Sequence, residues 1–253
     1  VRRRSLEKSP CAADAAALGR ALPRLEAGLT LSIIMPVLNE APGLAAALEA
    51  LAPLRQRGVE VLVVDGGSTD GTPEQASARA DRVIVAPRGR ARQMRAGAAH
   101  ASGALLLFLH ADTRLPPHAD ALVEQALAHQ GWGRFDVAIE GRSIWLPIIA
   151  TMMNLRSRFT GIATGDQAIF VTRAVFDAVG GIPDQPLMED IELSKRLKQV
   201  GPPACLRARV TTSGRRWDTR GAWRTILLMW RLRFDYWRGV PAITLSARYY
   251  PES

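Results

Sequence analysis

Leu31-Ser-Ile-Ile-Met-Pro-Val37 and, 22 residues on from its end, Val59-Glu-Val-Leu-Val-Val64 decide how this chain folds. Each is a short apolar run rich in branched residues, the pattern of a strand covered on both faces. Each also ends abruptly in polar residues. The first is followed by Asn39-Glu40 and Pro42, which open a helix expected to reach about Arg57. The second ends at Asp65-Gly-Gly-Ser-Thr-Asp-Gly71, with a helix expected from Pro73.

Working outward, a third strand is expected at Arg82–Ala86 and a helix near Arg90–Ala101. The fourth strand, Ala104-Leu-Leu-Leu-Phe-Leu109, is closed by His110-Ala-Asp112. Strands alternating with helices at this spacing predict an α/β fold with a mostly parallel central sheet flanked by helices. The second half is less regular. Phe135–Glu140 alternates like a strand with one wet face, residues 144–160 read as a helix, and Gln167–Thr172 as a strand. Met188–Val200 reads as a helix, Arg207–Thr212 as a last strand, and Arg220–Trp237 as a C-terminal amphipathic helix. There is no internal repeat and no clear linker. Residues 30–253 are therefore read as a single domain, after a poorly ordered or loosely helical extension over residues 1–29.

The 253 residues are enough for a substantial buried core. Lys and Arg number 33 against 24 for Asp and Glu, a net charge of +9 carried mostly by arginine. That balance suits nucleotide phosphates, anionic lipid headgroups or nucleic acid, and does not choose among them. Cys11 and Cys205 form no disulfide framework, so a reducing, cytoplasmic setting is expected. No apolar run reaches the roughly 20 residues needed to span a bilayer. The basic start, Arg2-Arg3-Arg4, is not followed by the apolar heart of a signal peptide.

In a parallel α/β sheet, ligands gather at the carboxyl ends of the strands. Three polar clusters fall there: Pro36–Glu40, Asp65–Asp70 and His110–Asp112. Strand-end loops are polar in any protein, but three clusters that each carry an acid are harder to dismiss. Within the second, Gly66 and Gly67 permit a tight turn, while Asp65 and Asp70 can accept hydrogen bonds from a base or ribose. A turn alone does not explain an acid closing an apolar strand, where an unpaired charge is costly. A carboxylate at Asp112 can hold Mg²⁺ or Mn²⁺ that bridges a diphosphate. Glu189-Asp190 follows the turn Gly180-Gly-Ile-Pro183. These acids suit the first turn of a helix, and one of them equally suits a general base.

Together Pro36-Val-Leu-Asn-Glu40, Asp65-Gly-Gly-Ser-Thr-Asp-Gly71, Asp112 and Glu189-Asp190 resemble the family 2 glycosyltransferases, over roughly residues 31–212. The chain is most similar to small bacterial members that carry Gly-Arg-Ala-Arg-Gln-Met (Gly89–Met94), Gly-Asp-Gln (Gly165–Gln167) and Thr-Ser-x-Arg-Arg-Trp (Thr212–Trp217). The resemblance implies a GT-A fold and an inverting transfer of a sugar from a nucleotide-diphosphate sugar, a UDP-sugar above all, to an acceptor hydroxyl. It implies that Pro36, Val37 and Glu40 line the nucleotide pocket and that Asp65 contacts the base. Asp112 then stands for the last acid of the family's metal motif, and Asp190, beside Glu189, for the catalytic base. Asn39, Gly67, Ser68, Asp70, Gln93, Ala111, Gly165, Asp166 and Gln167 belong to the same motifs and are expected in the substrate site. His110 stands where the family often has the first acid of its metal motif, and a neutral imidazole can bind a sugar hydroxyl or the ion.

Arg90, Arg92, Arg215 and Arg216 are candidates for the departing phosphates, because guanidinium forks fit phosphate oxygens. Two cations at a helix start oppose the dipole unless an anion lies between them. Trp217 adjoins the last pair and is expected to share with it in binding the donor or product. In the C-terminal helix Trp223, Trp230, Phe234 and Trp237 recur near helical spacing among arginines. The plainer expectation is an apolar stripe packed on the domain with arginines in water. The sharper one is an interfacial helix on an anionic membrane, suited to a lipid-linked acceptor at the inner face of the membrane. Residues 144–153 could join that helix or wall the acceptor site.

Other functions fit less well. A nucleotidyltransferase or dinucleotide-dependent oxidoreductase needs a Gly-rich phosphate loop after the first strand, and Pro36–Glu40 has none. A basic membrane- or RNA-binding protein leaves Asp65, Asp112 and Asp190 without a purpose, and no nucleic-acid partner is expected. A degenerate transferase that binds a sugar nucleotide without turnover stays open.

Overall fold

A computed structural model describes residues 30–249 of the chain; the expected extension over residues 1–29 lies outside them. The first half alternates strands and helices. They are β1 (Leu31–Val37), α1 (Ala41–Glu49), α2 (Ala52–Gln56), β2 (Glu60–Asp65), α3 (Thr72–Ser77), β3 (Arg82–Val85), α4 (Arg90–His100) and β4 (Leu105–Phe108). Then come β5 (Thr113–Arg114), α5 (Ala119–Leu127), β6 (Trp132–Glu140), α6 (Leu146–Thr160), β7 (Phe170–Thr172) and α7 (Arg173–Ala178). The described residues end with α8 (Glu189–Val200), β8 (Ala204–Ser213), α9 (Arg215–Arg220), α10 (Ala222–Trp237) and α11 (Ala242–Tyr249).

The eight strands among the described residues form one sheet in the order β3-β2-β1-β4-β7-β6-β8-β5. The β3-β2-β1-β4 half is parallel. β7 enters antiparallel to both β4 and β6, and β6 then runs parallel to β8. The expected α/β architecture is thus present, with a mixed second half. The continuous apolar runs have a direct cause: Ile33, Met35, Val61, Val63, Leu105 and Leu107 enter the core on one face of the sheet. Their neighbours Ile34, Val64, Leu106 and Phe108 enter the core on the other. Helix α4 lies hard against that second face. A Cβ at Gly97 would come within 2.4 Å of Ile34 Cγ2 and 2.9 Å of Val64 Cγ2, so only glycine allows the approach.

Several expectations are corrected. The helix read over residues 42–57 is two helices, with Pro53 in the first turn of the second. The strand read at Gln167–Thr172 covers only β7, because Gly165–Gln167 is a turn of 3₁₀ helix. The C-terminal helix read from Arg220 is broken at Gly221, φ 81°, into α9 and α10. The stripe of Trp223, Trp230, Phe234 and Trp237 does not pack on the domain; these side chains are exposed. Helix α10 buries its other side instead, placing Leu232 with Leu245, Tyr249, Met188 and Ile191.

Candidate active site

The loops after β1 and β2 are stitched together. Asn39 takes a left-handed conformation, φ 52°, which a short polar side chain tolerates. Its backbone amide donates to Ser68 Oγ at 2.8 Å, and its Oδ1 accepts from Thr69 N at 2.9 Å. Asp70 accepts from the amides of Thr72 and Ala41, both at 3.1 Å, so one carboxylate starts α3 and α1 together. These bonds, led by that from the Thr72 hydroxyl, hold its carboxyl below the ordinary range. Asp65 is buried, and its carboxylate accepts from Gly67 N at 2.9 Å, Ser68 N at 3.0 Å and the Ser68 hydroxyl. Its first task is to shape the loop in which Gly67, φ 91°, turns.

Beneath this loop lies Gln93, expected among the binding residues. It is buried, and its amide nitrogen donates to Val37 O at 2.7 Å and Val64 O at 2.8 Å. It therefore ties together the ends of the two deciding strands, with Gly66 directly above: a Cβ there would meet the Gln93 amide at 3.1 Å. Pro36 and Val37 belong to β1, Val37 inside the core. Gln167 is likewise buried, closing its own turn on Thr164 and donating to Asn154 Oδ1 at 3.3 Å.

Glu40, Asp70 and Asp112 stand beyond the ends of β1, β2 and β4, near enough for the last two to act on the first. Burial raises the Glu40 carboxyl, Arg215 pulls it back, Asp112 and Asp70 raise it further, and His110 lowers it. Arg215 Nη2 stands 3.9 Å from Glu40 Oε2. Asp112 is exposed, while its neighbour Ala111 packs against the core. The repulsion that Asp112 and Asp70 exert on Glu40 favours a cation in this region, although the three do not gather into one cluster. Among the described residues no three metal-type side chains cluster, so an ion here would complete its shell with phosphate and water oxygens.

Across from them, His110 Nδ1 lies 3.4 Å from Asp166 Oδ1. Burial works against the Asp166 charge, but His110, Arg90 and Arg216 together hold its carboxyl below the ordinary range. Arg216 lies over the Tyr249 ring at 5.0 Å, which brings α11 to the edge of the site. Helix α8 supplies the remaining acids. Glu189 is buried and faces Arg90 Nη1 at 3.4 Å. Asp190 Oδ2 accepts from Gly165 N at 3.0 Å and its Oδ1 from Ile191 N at 2.7 Å. Its carboxyl is pushed up to about 6, first by burial and then by Glu189, with Gly165 and Arg90 opposing.

Arg90, His110, Gly165, Glu189 and Asp190 line one small cavity, floored by Met94, Phe108, Ile169 and Ile182, with about 20 Å³ of interior room. That holds one water. The structure thus unites Asp190, Glu189, Arg90, His110 and Gly165, with Asp166 alongside, and couples His110 to the Glu40–Asp112 group. Asp65 lies under its loop rather than in the cavity wall. Arg92 is turned aside, its Nε 3.1 Å from Asp184 Oδ1. Trp217 packs with Leu146, Ile149 and Ala222, where α6 meets α10.

Sequence reading missed Arg156 on α6. Burial lowers its pKa against the pull of Asp190 and Asp166, and its Nε and Nη2 are buried without a hydrogen-bond partner. Nothing in the sequence separates it from the solvated arginines of an amphipathic helix.

The sequence profile of Glycosyl transferase family 2 matches residues 32–171, more than half of the chain. A glucosyl-3-phosphoglycerate synthase of Mycobacterium tuberculosis is 32% identical over 108 residues. That match spans 38% of this chain and 33% of the relative, a third of its length. Among solved structures, the same organism's glucosyl-3-phosphoglycerate synthase in complex with Mg²⁺ and UDP is similar with a TM-score of 0.55 at 20% identity. It covers 84% of this chain and 76% of that one. The mannosyltransferase PcManGT from Pyrobaculum calidifontis, in complex with GDP-Man and Mn²⁺, has a TM-score of 0.57 at 21% identity, covering 88% and 69%. These likenesses agree with the GT-A fold. With the profile match falling on β1 to β6 and on Asp65, Arg90, His110, Asp112 and Gly165, this chain belongs to glycosyltransferase family 2.

Proposed function

We propose that the protein is an inverting, metal-assisted transferase that moves a sugar from a nucleotide-diphosphate donor, a UDP-sugar above all, to an acceptor hydroxyl. One observation carries this reading: Asp190, its carboxyl raised to about 6, lines a cavity shared with Arg90, His110 and Gly165. Asp190 takes the acceptor proton as the hydroxyl oxygen attacks the anomeric carbon from the side opposite the diphosphate. Gly165 N, bonded to Oδ2, aims the carboxylate. Arg90, Arg215 and Arg216 meet the charge that develops on the departing diphosphate. The Asn39–Asp70 loops hold the nucleotide.

Mg²⁺ or Mn²⁺ on Asp112 would neutralise that same charge when bound. The crowding of Glu40 by Asp112 and Asp70 supports a cation there, as do the ions bound by the two structural relatives. Residues 30–253 act as one domain in this reading, and the acceptor is lipid-linked, taken at the inner face of the membrane.

The test is thermal unfolding with UDP and GDP, each with Mn²⁺, Mg²⁺ or neither, followed by sugar-nucleotide turnover in the wild type and Asp190→Asn. The expected result is a metal-dependent rise with one nucleotide, kept in Asp190→Asn, and turnover lost in that variant. Undiminished turnover by Asp190→Asn would remove Asp190 from the reaction.

A further inference from the structure

Two rows of large apolar side chains are left uncovered on neighbouring helices. On α10, Trp223, Leu227, Trp230, Phe234 and Trp237 recur every three or four residues and are between 55% and 79% exposed. On α6, Ile148, Met152, Leu155 and Phe159 recur at the same spacing and are between 42% and 86% exposed. Trp145 joins the rows, its ring 5.2 Å from that of Trp223 in an edge-on contact. A soluble monomer rarely leaves so large a connected apolar surface in water.

The charges beside this surface are of one sign. Arg224, Arg231 and Arg238 each directly follow a tryptophan of the α10 row, are exposed, and form no ion pair among the described residues. Helix α6 contains no acidic residue, and α10 contains one, Asp235, which is engaged by Arg248 at 2.8 Å. A protein partner of mixed charge would find no unpaired carboxylate on either helix. A surface of anionic headgroups over acyl chains matches both parts: indoles settle at the headgroup boundary and arginines bind phosphates. No helix among the described residues is long and apolar enough to cross a membrane, so such a surface lies along one.

From this arrangement we propose that the α6–α10 face seats the protein on a bilayer containing anionic lipids. Helix α10 is fixed to the site, since Tyr236 Oη donates to Glu192 Oε2 at 3.1 Å and Leu232 packs with Ile191, the residue after Asp190. Docking therefore brings the proposed base to the lipid surface. The seat itself stands apart from the transfer reading and rests on it only for its purpose, delivery of a lipid-linked hydroxyl.

The experiment is co-sedimentation and tryptophan fluorescence with vesicles of phosphatidylcholine alone and of phosphatidylcholine mixed with phosphatidylglycerol. The wild type is expected to bind the mixed vesicles with a blue shift of its emission, and the neutral ones far more weakly. Replacing the three arginines (Arg224→Gln, Arg231→Gln, Arg238→Gln) is expected to weaken binding to the anionic vesicles on the order of 100-fold. Trp230→Ser with Trp237→Ser is expected to remove the blue shift. Both variants keep UDP binding, so failure here does not touch the transfer reading. Equal binding to both vesicles would overturn anionic recognition. A concentration-dependent dimer abolished by the tryptophan variant, without vesicle binding, would assign the face to a second copy. Buried-type emission in the free protein, again without vesicle binding, would assign it to another segment of the same chain.

Discussion

The amide of Gly165 donates to Asp190 Oδ2 at 3.0 Å, and the same residue has no room for a side chain, because a Cβ would lie 2.5 Å from His110 Nε2. Gly165 thus packs against the imidazole on one side and orients the carboxylate on the other. Gly165→Ala must push the imidazole, the turn or both. A displacement of about 1 Å at a reacting group can cost roughly 100-fold. The variant is expected to keep its fold and its nucleotide-induced stabilisation while kcat falls about 10- to 100-fold. An unchanged kcat would show that the turn does not aim Asp190.

Asp190 also sets a pH dependence. A general base works unprotonated, so kcat/KM is expected to rise with pH, with a midpoint near the value of about 6 to which burial and Glu189 push this carboxyl, and to level off above it. Stability runs the other way. A carboxyl whose pKa is raised by folding binds its proton more tightly in the native state, so this group's contribution falls as pH rises from the ordinary carboxylate range to about 6. Asp190→Asn is expected to remove both effects, with a higher Tm than wild type at neutral pH and transfer down about 10²- to 10⁴-fold. A Tm difference independent of pH would contradict the raised pKa.

How far the sequence foretold this molecule depends on what each residue answers to. Runs such as Ile33–Met35 and Val61–Val64 are apolar because both sheet faces are covered, so β1 to β4 could be read directly. Polar residues at their ends likewise marked the crevice, where His110 stands between the Glu40–Asp112 pair and the cavity that Asp190 lines. Gln93 could not be read that way. Its neighbours Arg90 and Arg92 make the segment look wet, and only the packing of α4 shows its amide reaching two strand ends. Helix α10 misled for another reason. It is apolar on two sides, with Leu232 on one and Trp230 on the other, and periodicity cannot say which of two apolar sides meets the core. A two-residue element such as β5 owes its existence to pairing with β8, a strand distant in sequence.

The placement of Gln93 yields a stability prediction. Its amide is the donor to two carbonyl oxygens at the ends of β1 and β2, inside the protein. Each buried carbonyl left without a partner costs about 1–3 kcal/mol. Val37 O keeps a second donor, Gly66 N at 3.0 Å, so Gln93→Ala is expected to lower the unfolding free energy by about 1–3 kcal/mol and to raise KM for the donor, because the Asp65 loop sits on those strand ends. Chemical denaturation and initial-rate kinetics measure the two. A loss under ~0.5 kcal/mol would mean that water replaces the amide at no cost.

Asp112 gives the sharpest separation of ligand binding from folding. Its charge is among the causes that raise Glu40, so neutralising it relieves a repulsion in the free protein. Asp112→Asn should consequently leave the unliganded Tm unchanged or slightly higher. A ligand present at 100 times its Kd stabilises by about 2.7 kcal/mol. In the wild type, nucleotide with Mn²⁺ is expected to raise Tm beyond nucleotide alone. In Asp112→Asn that metal-dependent increment should vanish while the nucleotide's own increment stays, since the Asn39–Asp70 stitching does not involve Asp112. A variant that keeps the full Mn²⁺ increment would show that the ion is held without this carboxylate, leaving Glu40 and the diphosphate as its ligands.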